Sequence, residues 1–302
     1  CDAYGPDWES LFYDFDMKPL AAASIGQVHR TLSPEGRDIV LKVQYPGVAD
    51  SIDSDVDNIA SLLKLSGLLP ADIDIQPLLD DAKVQLKDET DYLKEAEFLA
   101  AFGQLLQADE RFLVPEVLPE LTHRNVLAMT YVSGSPIESV IDLPQAERDR
   151  VMTALIELML LEFFELRMVQ TDPNFSNYQY KPDTGEIVLL DFGATRRFKA
   201  SFVKDYKRLA RAAIAGDKVK LVAASERLGY SMGEEGSDYQ NMVLQFLTLA
   251  LEPLRLDIDY DFAHSDMANN ISKLGGEVAS FKDSWQVPPS AAVYFHRKVG
   301  GM

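Results

Sequence analysis

Cysteine is nearly absent from the 302-residue sequence, which has only Cys1 and so cannot form a disulfide within the chain. A chain without internal disulfides is typical of a reducing compartment. The four histidines are scattered, and no Cys/His spacing typical of a structural zinc site occurs. The fold must therefore be stabilised by its hydrophobic core.

Basic residues are also scarce, since 29 Lys and Arg stand against 48 Asp and Glu, a formal net charge of −19. Nucleic-acid binding normally requires clustered positive charge, so we expect no nucleic-acid partner. A negative surface also repels anionic lipid unless basic groups are locally concentrated.

No apolar run is long and pure enough to predict a membrane span, and no signal peptide is evident. The longest run, Met152–Val169, contains charged residues and therefore predicts a packed helix. Because the chain starts at Cys1 and ends directly after a helical pattern, we expect it to be a segment of a longer protein. The interrupting residues are Glu157, Glu162, Glu165 and Arg167.

The sequence does have enough apolar residues, 47% of the total, to bury a core large enough for two lobes. A strand predicted at Asn125–Val132 leads into the Gly/Pro-containing segment Ser133–Pro136. We therefore predict a sheet-rich N-terminal lobe, residues 1–133, and a helical C-terminal lobe, residues 134–302.

One stretch contains an ordered set of polar residues suited to phosphate chemistry. Asp172 is followed five residues later by Asn177 and, after an apolar strand pattern, by Asp191-Phe192-Gly193. Protein kinases carry their catalytic base and two magnesium ligands in this order. Asp-Phe-Gly alone would be ordinary turn chemistry, but the ordered set is hard to obtain by chance.

A second candidate feature is a hairpin of small residues followed by a lysine. The run Leu20–His29, which begins with small residues and ends in a strand pattern, could lay backbone N–H groups over phosphates, or it could be a tight turn filled with alanine. Lys42 lies inside a β-branched strand pattern, Asp38–Pro46, where a lysine is otherwise explained by a solvated strand face. The spacing of the two features favours a nucleotide-covering loop and a phosphate-binding lysine.

Helical patterns follow from Val48 to Leu69 and from about Gln76 to Gln107. The second carries Glu89 and Glu95, and a helix glutamate holds the strand lysine in kinase-like lobes. On one continuous helix these two acids lie about 240° apart, so both cannot face Lys42 in the same way. The sequence leaves the choice between them open.

The remaining elements are predicted from their apolar periodicity. Strands are expected at Val114–Val117 and Asn125–Val132 and helices at Gln145–Arg167, Ser201–Ala215, Lys218–Leu228, Tyr239–Leu251, Ala263–Leu274 and Ala291–Lys298.

Taken together, these motifs resemble the UbiB-type atypical kinase-like family, and within it the coenzyme Q (ubiquinone) biosynthesis kinases of mitochondria and proteobacteria. The resemblance spans essentially the whole chain, and an alanine loop replaces the glycine-rich loop of ordinary protein kinases. It rests on Ala21–His29, Lys42–Val48, Glu89–Asp91 with Glu95-Ala96, Gln170–Asn174 and Leu190–Arg196.

The resemblance implies an α+β, protein-kinase-like bilobal fold, with a small β-rich N-lobe containing inserted helices and a mainly helical C-lobe. Lys42 would contact the α- and β-phosphates of ATP or ADP and pair with Glu89 or Glu95. Asp172 would be the catalytic residue, and Asn177 and Asp191 would bind Mg²⁺. Nucleotide contacts are implied for Ala21, Ala22, Ala23, Ser24, Gly26, Val28, Lys42, Glu89, Glu95, Met129, Tyr131 and Val132.

The sequence departs from ordinary protein kinases in two places and from its own family's pattern in one. Gln170-Thr171 replaces the His-Arg that usually precedes the catalytic Asp, and no Ala-Pro-Glu follows Asp-Phe-Gly. Instead Arg196–Phe198 leads directly into a helical pattern, which argues against a peptide-docking segment. The Lys-x-Gly-Gln motif of the family's N-terminal extension does not occur in this sequence.

The leading hypothesis is an ATP-binding, Mg²⁺-dependent atypical kinase or ATPase that supports ubiquinone biosynthesis. The rival is a nucleotide-binding scaffold or chaperone without productive turnover, and a true protein kinase is a third reading. The intact set of Lys42, Asp172, Asn177 and Asp191 favours chemistry. Expected partners are quinone-biosynthesis proteins, isoprenoid lipid precursors and a membrane surface, at the cytoplasmic side of a bacterial inner membrane or in the mitochondrial matrix.

Overall fold

The computed structural model describes residues 3–66, 75–256, 258–281 and 288–302. A small sheet forms in the N-terminal part and helices dominate the remainder, which confirms the predicted α+β class. The strands are β1 (Ala21–Ala23), β2 (Gly26–Leu32), β3 (Asp38–Gln44), β4 (Phe112–Leu113), β5 (Val126–Thr130), β6 (Ser135–Pro136), β7 (Met168–Gln170), β8 (Tyr178–Tyr180), β9 (Ile187–Leu189) and β10 (Thr195–Arg197). The α-helices are α1 (Val48–Ser66), α2 (Gln76–Glu89), α3 (Tyr92–Leu106), α4 (Gln145–Leu161), α5 (Ala200–Ile214), α6 (Lys218–Leu228), α7 (Asp238–Ala250), α8 (Met267–Ala279) and α9 (Ser290–Gly301).

The N-terminal sheet is antiparallel with strand order β1-β2-β3-β5. Its register places Ala21, Val28, Lys42 and Leu127 in one row across the four strands. Directly opposed residues project from the same face of a sheet, so Lys42 shares its face with Ala21 and Val28. The β-branched residues of β3 suit this central position, and Ile39 is fully buried.

The helix predicted from Gln76 to Gln107 is wrong, because the structure has two helices there. Helix α2 ends at Glu89, and Asp91 has a non-helical backbone with φ −104° and ψ 89°. The Asp91 carboxylate accepts a hydrogen bond from the Leu93 N–H at 3.2 Å, which caps α3. The Asp91 side chain thus starts a new helix. Because Glu89 and Glu95 lie on different helices, the angle of about 240° calculated for one continuous helix does not apply.

Two other predicted boundaries are corrected. The strand expected at Val114–Val117 is displaced to β4, which pairs in parallel with β9, and only Val117 forms a bridge, to Met129. Pro115 has no N–H to give to a ladder, which disfavours a strand through it. The helix expected at Ala263–Leu274 lies at α8, four residues later.

The helix expected at Gln145–Arg167 changes type before its end. The α-helical part stops at Leu161, a π-helix follows over Glu162–Leu166, and Arg167 has a left-handed φ of 54°. This turn delivers the chain into β7. For the first predicted helix, α1 ends at Ser66, and the predicted residues 67–69 lie outside the described residues.

Two further sheets hold the polar stretch of the C-terminal half: β4-β9-β8-β6, and the antiparallel pair β7 and β10. One hydrophobic cluster joins the N-terminal sheet to the helical part, since Met129 and Phe102 belong to it together with Leu155 and Phe192. A second cluster gathers the C-terminal helices around Phe163. The strands that carry the polar residues are therefore fixed from both sides.

Within the described part of the chain, no helix is both long enough and apolar enough to cross a membrane.

Candidate active site

Lys42 is the centre of a buried ion-pair network. Its Nζ lies 2.8 Å from Glu95 Oε1 and 2.8 Å from Asp191 Oδ2, and the side chain is only 7% exposed. Burial alone would lower the pKa of the Lys42 ammonium, but the two carboxylates together raise it above its ordinary value. Lys42 is therefore held as a cation on the inner face of the sheet.

Glu95, on α3, is the helix acid that pairs with Lys42. Its carboxylate also accepts a hydrogen bond from the Phe192 N–H at 3.4 Å, so it joins β3 to the Asp-Phe-Gly segment. Burial raises the pKa of the Glu95 carboxyl, and the charge of Lys42 limits the rise. The break after α2 is what allows α3 to present this face to the sheet.

Glu89 lies apart from that pair, at the end of α2, and its carboxylate accepts a hydrogen bond from Gln85 Nε2 at 3.0 Å. Burial raises its pKa, and the negative charges of Asp191 and Asp172 add to the increase. Glu89 therefore faces the same site from another direction without contacting Lys42 by an ion pair.

Asp172 follows β7 in a loop that is tied to the Asp-Phe-Gly segment. Thr171 donates to the Ala194 carbonyl through its N–H at 3.1 Å and through its hydroxyl at 2.7 Å. Asn177 Nδ2 then donates to Asp172 Oδ2 at 3.1 Å. Asp172 and Asn177, near the start and the end of one loop, are thus held side by side.

Asp191 completes the group from the other side. The Leu190 N–H donates to the Asn177 carbonyl at 2.9 Å, which places Asp191 directly after the residue that bonds Asn177. Phe192 is buried against Phe102, with ring centroids 4.7 Å apart. Burial would raise the pKa of Asp191, but Lys42 lowers it below its ordinary value, which favours the carboxylate.

The oxygen donors of this site fit Mg²⁺. Asp191 supplies a carboxylate, and Asn177 uses Nδ2 on Asp172, which leaves its side-chain oxygen as an acceptor. Mg²⁺ is usually bound by one or two carboxylates together with substrate phosphates and water. The described residues contain no cluster of three or more His, Cys, Asp or Glu that could hold a metal ion.

The alanine run forms a strand, and only Ser24-Ile25 make the turn of the β1–β2 hairpin. Ala21, Ala22 and Ser24 are exposed, whereas Ala23 is half-buried. Gly26 lies against β3 so closely that a Cβ there would be 2.1 Å from the Val43 carbonyl oxygen. The hairpin is thereby pressed onto the lysine strand, with Val28 directly opposite Lys42.

The segment expected to face the nucleotide base already bonds within the protein at two of its amides. Thr130 N–H donates to Glu116 O at 2.8 Å and Tyr131 N–H to Asp38 O at 2.9 Å. Met129 is buried in the shared core, and the Tyr131 ring lies under the Arg30 guanidinium. Val132 is half-exposed at the end of this segment.

Helix α9 adds contacts that the motif reasoning missed. Arg297 Nη2 lies 2.7 Å from Asp172 Oδ1. The buried Lys298 donates to Gln170 Oε1 at 3.2 Å and to the Tyr178 hydroxyl. Nothing local distinguishes Arg297 from other helix cations, because its partner lies 125 residues away in the sequence.

Comparison with known proteins agrees with this geometry. Residues 2–225 match the ABC1 atypical kinase-like domain. The chain belongs to the ABC1 atypical kinase-like family. This membership confirms the motif-based resemblance and the predicted kinase-like fold.

Curated relatives with coenzyme Q names match along nearly the whole chain. The atypical kinase coq-8, mitochondrial, of Caenorhabditis elegans is 38% identical over 99% of this chain and 40% of that protein. The atypical kinase COQ8, mitochondrial, of Saccharomyces cerevisiae is 36% identical over 99% of this chain and 60% of that protein. The chain thus spans between two fifths and three fifths of the length of these two relatives.

A solved structure shares the fold over the same extent. The protein Rv3197 of Mycobacterium tuberculosis, determined in complex with erythromycin, superposes with a TM-score of 0.73 at 24% identity. The match covers 99% of this chain and 74% of that one. At this identity the likeness shows the fold.

Proposed function

We propose that the chain binds ATP with Mg²⁺ and transfers or hydrolyses the terminal phosphoryl group in support of ubiquinone biosynthesis. The observation that carries the proposal is the convergence of Lys42, Glu95 and Asp191 in one network beside the paired Asp172 and Asn177. Phosphoryl transfer depends mainly on positioning and charge neutralisation, and this set supplies both.

Each residue has a role that its contacts support. Glu95 orients Lys42, whose ammonium would neutralise the α- and β-phosphates. Asn177 and Asp191 would hold Mg²⁺, which neutralises charge between the phosphates when bound. Asp172 would accept the proton of a hydroxyl or water that attacks the terminal phosphorus.

The nucleotide would lie under the β1–β2 hairpin, with backbone around Met129, Tyr131 and Val132 facing the base. We also propose the division into lobes at residues 1–133 and 134–302. The boundary is supported by the change of sheet between β5, which pairs with β3, and β6, which pairs with β8. Strand β4 lies before the boundary but pairs with β9 after it. Ala21 and Val28 share the sheet face of Lys42 and would line the phosphate side.

The names of the relatives support the pathway and the compartment. Two of them are named mitochondrial COQ8-type kinases, so quinone-biosynthesis proteins, isoprenoid precursors and a membrane surface are proposed as partners. We propose peripheral attachment to a membrane, at the cytoplasmic side of a bacterial inner membrane or in the mitochondrial matrix, and the mitochondrial names of these relatives support the second compartment.

The proposal is tested by ATP turnover of the purified chain with and without Mg²⁺. We expect Asp172→Asn and Asp191→Asn to lower phosphate release roughly 100-fold or more, the range for loss of a proton acceptor or metal ligand. MgADP binding by calorimetry should survive in Asp172→Asn and weaken in Asp191→Asn. Equal phosphate release by all three proteins would contradict the assigned roles.

The same experiment distinguishes the proposed enzyme from the rival scaffold, because the scaffold hypothesis predicts nucleotide binding without ATP turnover. A matched control is Asp149→Asn, an exposed acid on α4, which should leave both turnover and binding unchanged. Loss of quinone synthesis in cells lacking the gene, with no rescue by Asp191→Asn, would connect the nucleotide site to the pathway.

A further inference from the structure

The loop that carries Asp172 contains no positive charge of its own. From Gln170 to Tyr180 the sequence has no Lys, Arg or His, and ordinary kinases carry an arginine directly before the catalytic Asp. In the described structure the cation within ion-pair distance of Asp172 comes instead from α9, which lies outside the residues 2–225 that match the family domain.

Arg297 holds one of the two Asp172 oxygens and Asn177 holds the other. The Arg297 contact to Oδ1 is 2.7 Å and the Asn177 contact to Oδ2 is 3.1 Å. Two donors on different oxygens fix the rotation of a carboxylate about its last bond. The Arg297 side chain is 50% exposed.

The position of Arg297 is itself fixed by the rest of α9. Lys298, only 1% exposed, bonds both ends of the loop through Gln170 and Tyr178. Gly301 touches Pro173 so closely that a Cβ would be 2.3 Å from the Pro173 Cβ.

Aromatic contacts hold the preceding turn of α9. Phe295 stacks on Phe163 with centroids 3.7 Å apart, and the Arg196 guanidinium lies 3.4 Å from the Tyr294 ring centroid. Most surface ion pairs have mobile side chains. The backbone that carries Arg297, in contrast, is held in place by several buried contacts.

We propose that Arg297 is a positioning residue for phosphoryl transfer, which holds the Asp172 carboxylate toward the attacking hydroxyl or water. The inference rests on the proposed function. Arg297 acts through Asp172, so its loss lowers the rate of the chemical step and leaves nucleotide binding, made by Lys42, Asn177 and Asp191, intact. A lysine at this position keeps the charge but lacks the planar fork and serves only in part.

The test measures kcat, KM for ATP and MgADP affinity for the wild type, Arg297→Gln, Arg297→Lys and Arg297→Ala. We expect kcat of Arg297→Gln to fall roughly 10- to 100-fold, as when a group that orients a functional side chain is lost. KM and MgADP affinity should stay within about twofold, because uniform binding is retained. Arg208→Gln on α5, which removes an exposed arginine paired with Asp205, is the matched control and should be unchanged.

Two further measurements separate positioning from a structural role. Guanidinium ion at low millimolar concentration should restore part of the activity of Arg297→Ala, whereas sodium chloride at equal ionic strength should not. In the Asp172→Asn background, Arg297→Gln should cause no further loss, because the residue acts through Asp172.

Several outcomes would overturn the inference. An unchanged kcat in Arg297→Gln would show that the contact between Arg297 and Asp172 is only a surface ion pair. A raised kcat would show that Arg297 restrains Asp172 in the wild type. A parallel loss of kcat, MgADP affinity and melting temperature in both Arg297→Gln and Arg297→Lys would make it structural. If the wild type hydrolyses ATP no faster than Asp172→Asn, the proposed function fails as well. If the wild type is active and Arg297→Gln is equally active, only the inference about Arg297 fails.

Discussion

Glu162 is a carboxyl buried where the π-helix meets the core. It is 2% exposed, its Oε2 has no hydrogen-bond partner among the described residues, and burial raises its pKa to about 7, offset in part by Lys298. An isolated buried carboxylate is costly, and the protein lowers that cost by favouring the protonated form.

This pKa predicts a pH-dependent contribution to stability. Because the folded-state pKa of about 7 exceeds the ordinary 4.5, Glu162 binds more protons when folded, and its contribution is fully present below about pH 4.5 and lost as the pH rises through 7. Glu162→Gln mimics the neutral form. We expect it to match the wild type in urea unfolding at pH 5 and to be more stable at pH 8, by at most roughly 3 kcal/mol.

Glu165→Gln is the control, since Glu165 lies on the same π-helix with a side chain 66% exposed. Its difference from the wild type should stay nearly constant between pH 5 and pH 8. A Glu162→Gln variant that is equally destabilised at both pH values would contradict the assignment.

Local motifs predicted those candidate site residues that lie near each other in sequence, and contacts across the fold brought the others to them. Asp172, Asn177 and Asp191 follow from spacing, but the choice of Glu95 over Glu89 needed the position of α3. Arg297 had no local signal, because its role depends on a partner 125 residues away.

At the scale of elements, the packing of α9 against the loop that carries Asp172 can be tested by substituting two adjacent glycines. A Cβ at Gly301 would clash with Pro173 at 2.3 Å, whereas a Cβ at Gly300 meets nothing within 4 Å. We expect Gly301→Ala to displace the end of α9 and lower ATP turnover several-fold. Gly300→Ala should retain turnover and stabilise the helix by up to about 1 kcal/mol.

The measurement is turnover together with the melting temperature of both variants. Equal turnover by Gly300→Ala and Gly301→Ala would show that the last turn of α9 moves freely without affecting Asp172. The pair is informative because both substitutions add one methyl group to the same helical turn.

Periodicity predicted the existence of most elements, and side-chain contacts with the backbone set their ends. The break between α2 and α3 is an example, since Asp91 could have been recognised as an N-cap from its residue type. The two-residue strand β4 could not, because it exists only through its pairing with β9.

At the scale of the molecule, the core shared between the sheet and the helical part predicts cooperative unfolding. Leu155 on α4 is 1% exposed and belongs to the same cluster as Val40 and Met129 of the sheet. Calorimetry should therefore show one transition, and Leu155→Ala should lower the free energy of unfolding by about 2–5 kcal/mol while keeping it single.

Leu62→Ala removes the same atoms from a side chain 66% exposed on α1 and should change stability by less than about 0.5 kcal/mol. If calorimetry instead shows two transitions and Leu155→Ala shifts only one of them, the lobes unfold independently.

The fold class followed from the motifs, because the family resemblance that they carry implies a small β-rich lobe with inserted helices and a mainly helical second lobe. The way the two parts join did not, since Phe112 of β4 and Phe102 belong to a cluster that also includes Val40 of the sheet, Leu155 of α4 and Phe192 of the Asp-Phe-Gly segment. Such joins depend on packing between residues far apart in the chain.

The long-range contacts of the site also determine when it can exist during synthesis. Lys42 meets Asp191 across 149 residues, and Asp172 meets Arg297 across 125. A nascent chain grows from its N-terminus, so the sheet can form on the ribosome while Asp172 still lacks its partner. The complete site therefore forms only after α9 has emerged from the ribosome.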